Sequence, residues 1–159
     1  MSRLTIVSGG QTGVDRAALD AALTAGMPCG GWCPGGRMAE DGPLPAHYPL
    51  TEIPGGGYIE RTRANVADSD GTVILHGDAL EGGTLQTRRF CEELGKPCLV
   101  IAREKTGEAD AAAAIADFVA RHGIRRLNIA GPRASKQPRI YGWAHAVITR
   151  FLADIRAAA

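Results

Sequence analysis

The sequence predicts an α/β protein with a doubly wound, mainly parallel sheet and helices on both faces, and three observations lead there. Short apolar, β-branched runs alternate with longer stretches whose apolar residues recur at helical spacing. The short runs are continuously apolar rather than alternating, as strands covered on both faces require. Glycine turns stand between most of these runs and the helical stretches that follow them.

Taken in order, Leu4 to Ser8 is a strand that ends in Gly9-Gly10. Val14, Ala17, Ala18, Ala21, Ala22 and Ala25 then recur at helical spacing. Pro28 to Cys33 is a candidate second strand, and Pro34 to Gly57, rich in glycine and proline, is a long ordered loop. Thr72 to His76 is a strand, followed by Gly77, a turn through Glu81-Gly82-Gly83 and a helix near Thr84 to Leu94. Gly95-Lys96-Pro97 stops that helix. Cys98 to Ala102 is a buried strand, Glu108 to His122 a helix ended by Gly123, and Leu127 to Ala130 another strand. The turn from Gly131 to Pro138 opens a final helix near Ile140 to Ala157.

A chain of 159 residues suits one domain, expected over residues 1–159. The 45% apolar share supplies a core and the 22% charged share a solvated surface, which argues against general disorder. A formal charge of +1 is too balanced for a protein that holds nucleic acid by its overall field. No apolar run reaches the length of a membrane span, since Asp110 and Asp117 interrupt even the alanine-rich stretch from Ala109 to Ala120. Met1-Ser2-Arg3 leads directly into the first strand without a signal-peptide core, so a cytoplasmic location is expected. Cys29, Cys33, Cys91 and Cys98 lack metal-site spacing and are expected to be reduced thiols.

Ligands of open parallel sheets sit outside the carboxyl ends of the strands, so the turns that follow strands carry the functional expectation. Three stand out. Ser8-Gly9-Gly10-Gln11-Thr12-Gly13-Val14-Asp15 combines glycines with a helix start, where free N–H groups are expected to face an anion. It is neither a Walker A loop nor a dinucleotide fingerprint. Thr12 and Asp15 also fit a capping box, and Asp15 suits a hydroxyl or amino group better than a phosphate. The second turn supplies Gly82, Gly83 and Thr84, with Arg88 and Arg89 one turn on; the third supplies Gly131, Arg133, Ser135 and Lys136. Together they predict one site for a phosphorylated small molecule, with Gly9, Gly10, Gln11, Thr12, Gly13, Asp15, Gly82, Gly83, Thr84, Arg133 and Ser135 as candidate binding residues. Arg37, Glu40 and Asp41 of the long loop, and Arg61 beyond it, are further candidates. No histidine has the spacing of a metal ligand or a catalytic base, and Ser8 lacks a nucleophile elbow, so no catalytic residue and no metal site is assigned.

Ser8 to Ala17, Cys33-Pro34, Gly36-Arg37 and Ala39-Glu40-Asp41-Gly42 resemble a family of proposed molybdenum cofactor carrier proteins, a branch of the SLOG nucleotide-binding superfamily. The resemblance continues through Tyr58, Arg61-Thr62, Asn65-Val66, Ser69 to Thr72, Gly82-Gly83-Thr84, Lys96-Pro97, Gly131-Pro132-Arg133 with Ser135, and Ile140-Tyr141, covering essentially the whole chain. It implies a Rossmann-like domain that binds a phosphate-bearing cofactor, molybdopterin carrying molybdenum, and assembles into a homo-oligomer. Molybdoenzymes or cofactor-biosynthesis proteins are the implied partners, and a nucleotide or another phosphate ester is the alternative ligand.

The same superfamily holds the Lonely Guy phosphoribohydrolases, which release the base from nucleoside 5′-monophosphates. Glu60-Arg61-Thr62 keeps the arginine of their pattern, and Gly83-Thr84-Leu85-Gln86-Thr87 keeps Gly-Thr but places Thr87 where the catalytic glutamate belongs. A threonine cannot supply the carboxylate that glycosidic cleavage needs, so a binding protein is expected, and a phosphoribohydrolase-like enzyme stays the alternative only if Glu40, Asp41 or Asp15 of a folded-over loop takes the acid's place. The superfamily's DNA-processing members are poor guides, because eight aromatic residues and a balanced charge do not make a stacking, basic groove.

Overall fold

A computed structural model describes residues 3–158. Strand β1 (Thr5–Val7) leads into helix α1 (Val14–Thr24), and β2 (Cys29–Gly30) returns beside β1. The candidate strand over 28–33 is divided in two. Gly31, at φ +134°, turns the chain where an added Cβ would lie 2.3 Å from the Ser8 carbonyl oxygen. Beyond it, β3 (Trp32–Cys33) leaves the main sheet.

The segment from 34 to 57 is ordered but not featureless. Short strands β4 (Met38–Ala39) and β5 (Gly42–Pro43) form a tight antiparallel pair, and β6 (Thr51–Glu52) pairs with β3. Leu44, Tyr48 and Leu50 pack with Cys33, Ala39 and Leu19 in a small core of their own. Arg37 organises the segment. Its guanidinium donates to the carbonyls of Leu44, Pro45, Tyr48 and Leu50 over 2.8–3.4 Å, satisfying backbone groups that have no ladder to join.

Helix α2 (Tyr58–Ala67) follows, then β7 (Gly71–His76), α3 (Gly82–Leu94), β8 (Cys98–Ala102), α4 (Glu108–His122), β9 (Arg126–Ala130) and α5 (Ile140–Ala158). The five-stranded main sheet is parallel throughout, in the order β2-β1-β9-β7-β8. The last strand of the chain thus occupies the centre. Counted from β9 as the first strand, the order becomes 3-2-1-4-5, the sequence of a Rossmann sheet with its opening strand moved to the end of the chain.

The two faces are unequal. Leu127, Ile129, Val73, Leu75 and Ile6 point to one side, where α1, α4 and α5 cover them in the principal core. On the other side α2 packs against α3, and the apolar contact shrinks to Val66, Phe90 and Cys91 with Leu94 and Cys98. The sequence reading assigns no helix over 58–67, and the reason is physical. The buried residues of α2 are Arg61, Asn65 and Val66, so its inner face is mostly polar and carries no apolar stripe. Among the described residues no helix is long and apolar enough to cross a membrane.

Candidate functional site

Strands β1, β9 and β7 are neighbours, so the three turns that leave their carboxyl ends lie side by side. Between β9 and β7, the crossovers to either side part company, the position where open α/β sheets hold their ligands. A cavity of about 480 Å³ opens there, walled by the three turns, by α2 and by the start of α3.

The predicted residues divide into two groups. Gly9, Gln11, Asp15, Arg61, Gly82, Gly83, Thr84 and Arg133 line the cavity, with Lys136 beside them. Gly10, Thr12, Gly13, Arg37, Glu40, Asp41 and Ser135 are not among the cavity-lining residues, and most of them tie the glycine-rich segment to the turns. Thr12 Oγ1 donates to Glu40 and accepts the Ala134 N–H at 3.0 Å. Glu40 also accepts the Ser135 hydroxyl and, at 3.2 Å, its backbone N–H, and these bonds hold its carboxyl below the usual carboxylate range. Asp41 receives two guanidinium bonds from Arg16 at 3.0 and 3.1 Å. Arg37 is engaged by the loop carbonyls already described, and Arg88 pairs with Glu92 along α3.

The first turn differs from its expected role as an anion cradle. The N–H groups of Gly10, Gln11, Thr12 and Val14 are taken by Ser8 Oγ, Asp15 Oδ2, Gln11 Oε1 and the Pro132 carbonyl. The capping box is also incomplete. The carboxylate of Asp15 reaches back as expected, but to Gln11, while Thr12 faces Glu40 and the cap of α1 is Gly13 with no side-chain bond.

Free N–H groups are found instead at the start of α3. Gly82 and Gly83 donate to no carbonyl, whereas Thr84 and Leu85 close onto Glu81. A Cβ built on Gly83 would meet nothing within 4 Å, and its φ does not call for glycine. No packing inside the chain requires a glycine there, and the residue is exposed where it lines the cavity. Arg133 and Lys136 also line the cavity, and Arg133 Nε stands 3.7 Å from Glu40 Oε1.

Opposite lies a buried ion pair. Arg61 Nη1 stands 3.2 Å from Asp15 Oδ2, both side chains almost wholly enclosed. Gly9 makes room for it, since a Cβ there would lie 2.3 Å from Arg61 Nη1. Tyr58 covers the guanidinium at 5.5 Å, and Arg61 Nε is buried with no partner. Burial pushes the Asp15 carboxyl up to about 6 despite the opposing pull of Arg61, the Gln11 N–H and Arg16. Burial and a single cationic partner thus set this carboxyl apart from the other acids of the cleft.

Several cavity residues escape a sequence reading. Asn128 carries a detectable signal, a polar side chain inside the apolar strand from 127 to 130, whose alternate residues Leu127 and Ile129 face the core. Gln137 and Glu81 carry none, because loop position alone does not distinguish them, and Tyr58 is marked only by the family resemblance. Thr87 lines the cavity and donates to the Gly83 carbonyl at 2.9 Å, a bond within its own helix. Among the described residues no group of three or more His, Cys, Asp or Glu side chains is placed to hold a metal ion.

A permuted Rossmann-like sheet with an anion-ready helix start and a buried acid in one cleft defines a small-molecule-binding domain. The chain belongs to the circularly permutated YpsA SLOG family, which it matches over residues 6–152. It is also similar to a solved structure, the crystal structure of a protein described as "Putative molybdenum carrier protein" from Syntrophus aciditrophicus SB. The two are 47% identical, with a TM-score of 0.92 over 95% of this chain and 96% of that one. A comparison with curated proteins gives no match.

Proposed function

We propose that this protein binds a phosphate-bearing small molecule, molybdenum cofactor in its molybdopterin form, and acts as its carrier or store. The observation that carries the reading is the open start of α3, where Gly82 and Gly83 present unclaimed N–H groups and Gly83 leaves space that no protein atom fills. Those groups with Arg133 and Lys136 would hold the phosphate, and Tyr58, Arg61 and Asp15 would face the organic ring. The fit is chemical: a cavity of about 480 Å³ lined by cations, N–H donors, an aromatic ring and a buried acid. The metal would travel on its organic ligand, since the cavity brings no protein ligand set to it. The description of the Syntrophus protein as a molybdenum carrier supports the choice of cofactor. The proposal includes a cytoplasmic homo-oligomer that hands its cargo to molybdoenzymes or to cofactor-biosynthesis proteins.

Native mass spectrometry of freshly purified protein tests this, with elemental analysis for molybdenum. A co-purified pterin phosphate bearing molybdenum is expected; a different phosphate ester would replace the cofactor assignment while keeping the site. A nucleoside monophosphate hydrolase is the enzymatic rival. Thr87 in the wall weakens it, because its hydroxyl is directed to the helix backbone and cannot ionise as the missing glutamate would.

A further inference from the structure

The cleft offers more than a phosphate site, and its far end carries a second kind of recognition. Both hydrogen bonds that the Asp15 carboxylate receives, from the Gln11 N–H at 3.3 Å and from Arg61 at 3.2 Å, land on Oδ2. Oδ1 has no protein partner, yet it is not among the enclosed polar atoms left without one, so it faces the cavity that Asp15 lines. The side chain itself is 95% buried, with 5% relative exposure. A carboxylate oxygen so placed is an acceptor waiting for a donor, and phosphate, itself an acceptor and an anion, is the wrong occupant. Asn128, 3% exposed, adds a second polar group to the wall; one end of its amide bonds Thr72 Oγ1 at 3.3 Å and the other is unclaimed.

Arg61 does not satisfy the same need. Its partner atom is Oδ2, and Gly9, Tyr58 and the walls around its unpartnered Nε fix it beside that oxygen. The two ends of the cavity thus ask for opposite chemistry: an anion at the start of α3 and a donor of N–H bonds at Asp15. The free end of the Asn128 amide is Oδ1, also an acceptor, because Nδ2 donates to Thr72, so a ring that presents adjacent N–H donors is the simplest heterocycle that meets both the exposed carboxylate oxygen and the amide oxygen.

We infer that Asp15 is a specificity-determining residue that selects a phosphate ester carrying a 2-amino-4-oxopyrimidine ring, the donor edge shared by guanine and pterin, over rings that lack the 2-amino group. The inference rests on the phosphate-binding reading of the cleft and adds the residue that reads the ring and the edge it reads.

Isothermal calorimetry with the full chain tests it on four probes: guanosine, inosine and adenosine 5′-monophosphates and a pterin bearing a 6-methyl phosphate. Guanosine monophosphate is expected to bind at least 10-fold more tightly than inosine monophosphate, which differs only in the 2-amino group, and adenosine monophosphate to bind no better than inosine. The pterin phosphate is expected to share the preference; if it binds more tightly than the guanine nucleotide, the pterin is the natural source of the edge, and the reverse order assigns a nucleotide. Asp15→Asn should bring guanosine and inosine monophosphates within about 2-fold of each other while leaving adenosine monophosphate unchanged. Equal affinity of the wild-type protein for all four probes overturns the inference and leaves the phosphate site standing. No binding of any probe overturns both. Because the comparison of guanosine with inosine uses wild-type protein, it holds even should the variant fold poorly.

Discussion

Replacing Asp15 by asparagine should stabilise the ligand-free protein, and by an amount that depends on pH. The carboxyl is raised from an ordinary 3.8 to about 6 because burial disfavours its charged form more than Arg61 favours it. The folded state therefore holds the proton more tightly than the unfolded chain does. Its contribution is full below pH 4, is lost as pH rises from about 4 to 6, and is flat above that. A shift of this size corresponds to about 3 kcal/mol at pH 7.5 and about 1 kcal/mol at pH 4.5. Asparagine is a neutral isostere that escapes the loss. Urea unfolding of both proteins at pH 4.5 and 7.5 should show the variant's advantage growing by about 2 kcal/mol across that interval. Taking the difference between the two proteins cancels the titration of every other group. A variant whose difference from wild type stays level with pH, or which becomes relatively less stable at pH 7.5, would show that the charge–charge attraction of Arg61 and Arg16 outweighs burial and that the carboxylate is structural.

Gly83→Val should weaken binding of a phosphate ester at least 10-fold with little change in thermal midpoint, since the new side chain meets only open space. Gly10→Val should act in the opposite way. A Cβ there lies 2.5 Å from Leu50 and 2.9 Å from Leu44 at φ +81°, so stability falls by about 2 kcal/mol or more while the cavity itself is untouched. Arg133→Ala, read by calorimetry against the same phosphate ester, should cost about 1.5 to 3 kcal/mol through loss of a charge-assisted bond. The depressed carboxyl of Glu40 contributes stability above the ordinary glutamate range that is lost as pH falls through its folded value. Glu40→Ala should therefore lower the thermal midpoint at pH 7, leave it nearly unchanged near pH 3, and speed limited proteolysis between residues 38 and 57.

The parallel sheet and most of its helices were legible because apolar runs and glycine stops act locally, as at 72–76, 98–102 and 108–123. The order of the strands was not, since nothing local tells β9 to enter between β1 and β7 rather than at an edge. In the cleft, glycines marked three turns that the fold brings side by side, but residue type could not say which turn kept its N–H groups free. In the first turn Ser8, Asp15 and Gln11 claim three N–H groups from within four residues, a matter of side-chain rotamer, while Val14 closes on distant Pro132. Arg37, Glu40 and Asp41 read as ligand contacts for the same reason. A charged side chain among glycines can face a ligand or brace a loop, and only the fold shows that here all three brace it.

The position of β9 bears on how the chain is made. Leu127 pairs with Ile6 on one side and with Gly71 on the other, so a ribosome that has released β1 and β7 has delivered two half-sheets with no seam between them. Val73, Leu75 and Ile6 then have no α5 to cover them until the final helix emerges. Cooperative closure must wait until β9 and α5 have emerged, and it joins strands far apart in sequence, a topology that folds slowly and exposes sticky intermediates. A chain cut before Arg126 should accordingly accumulate as aggregate or as a chaperone client, whereas one that loses only the last residues of α5 should still close.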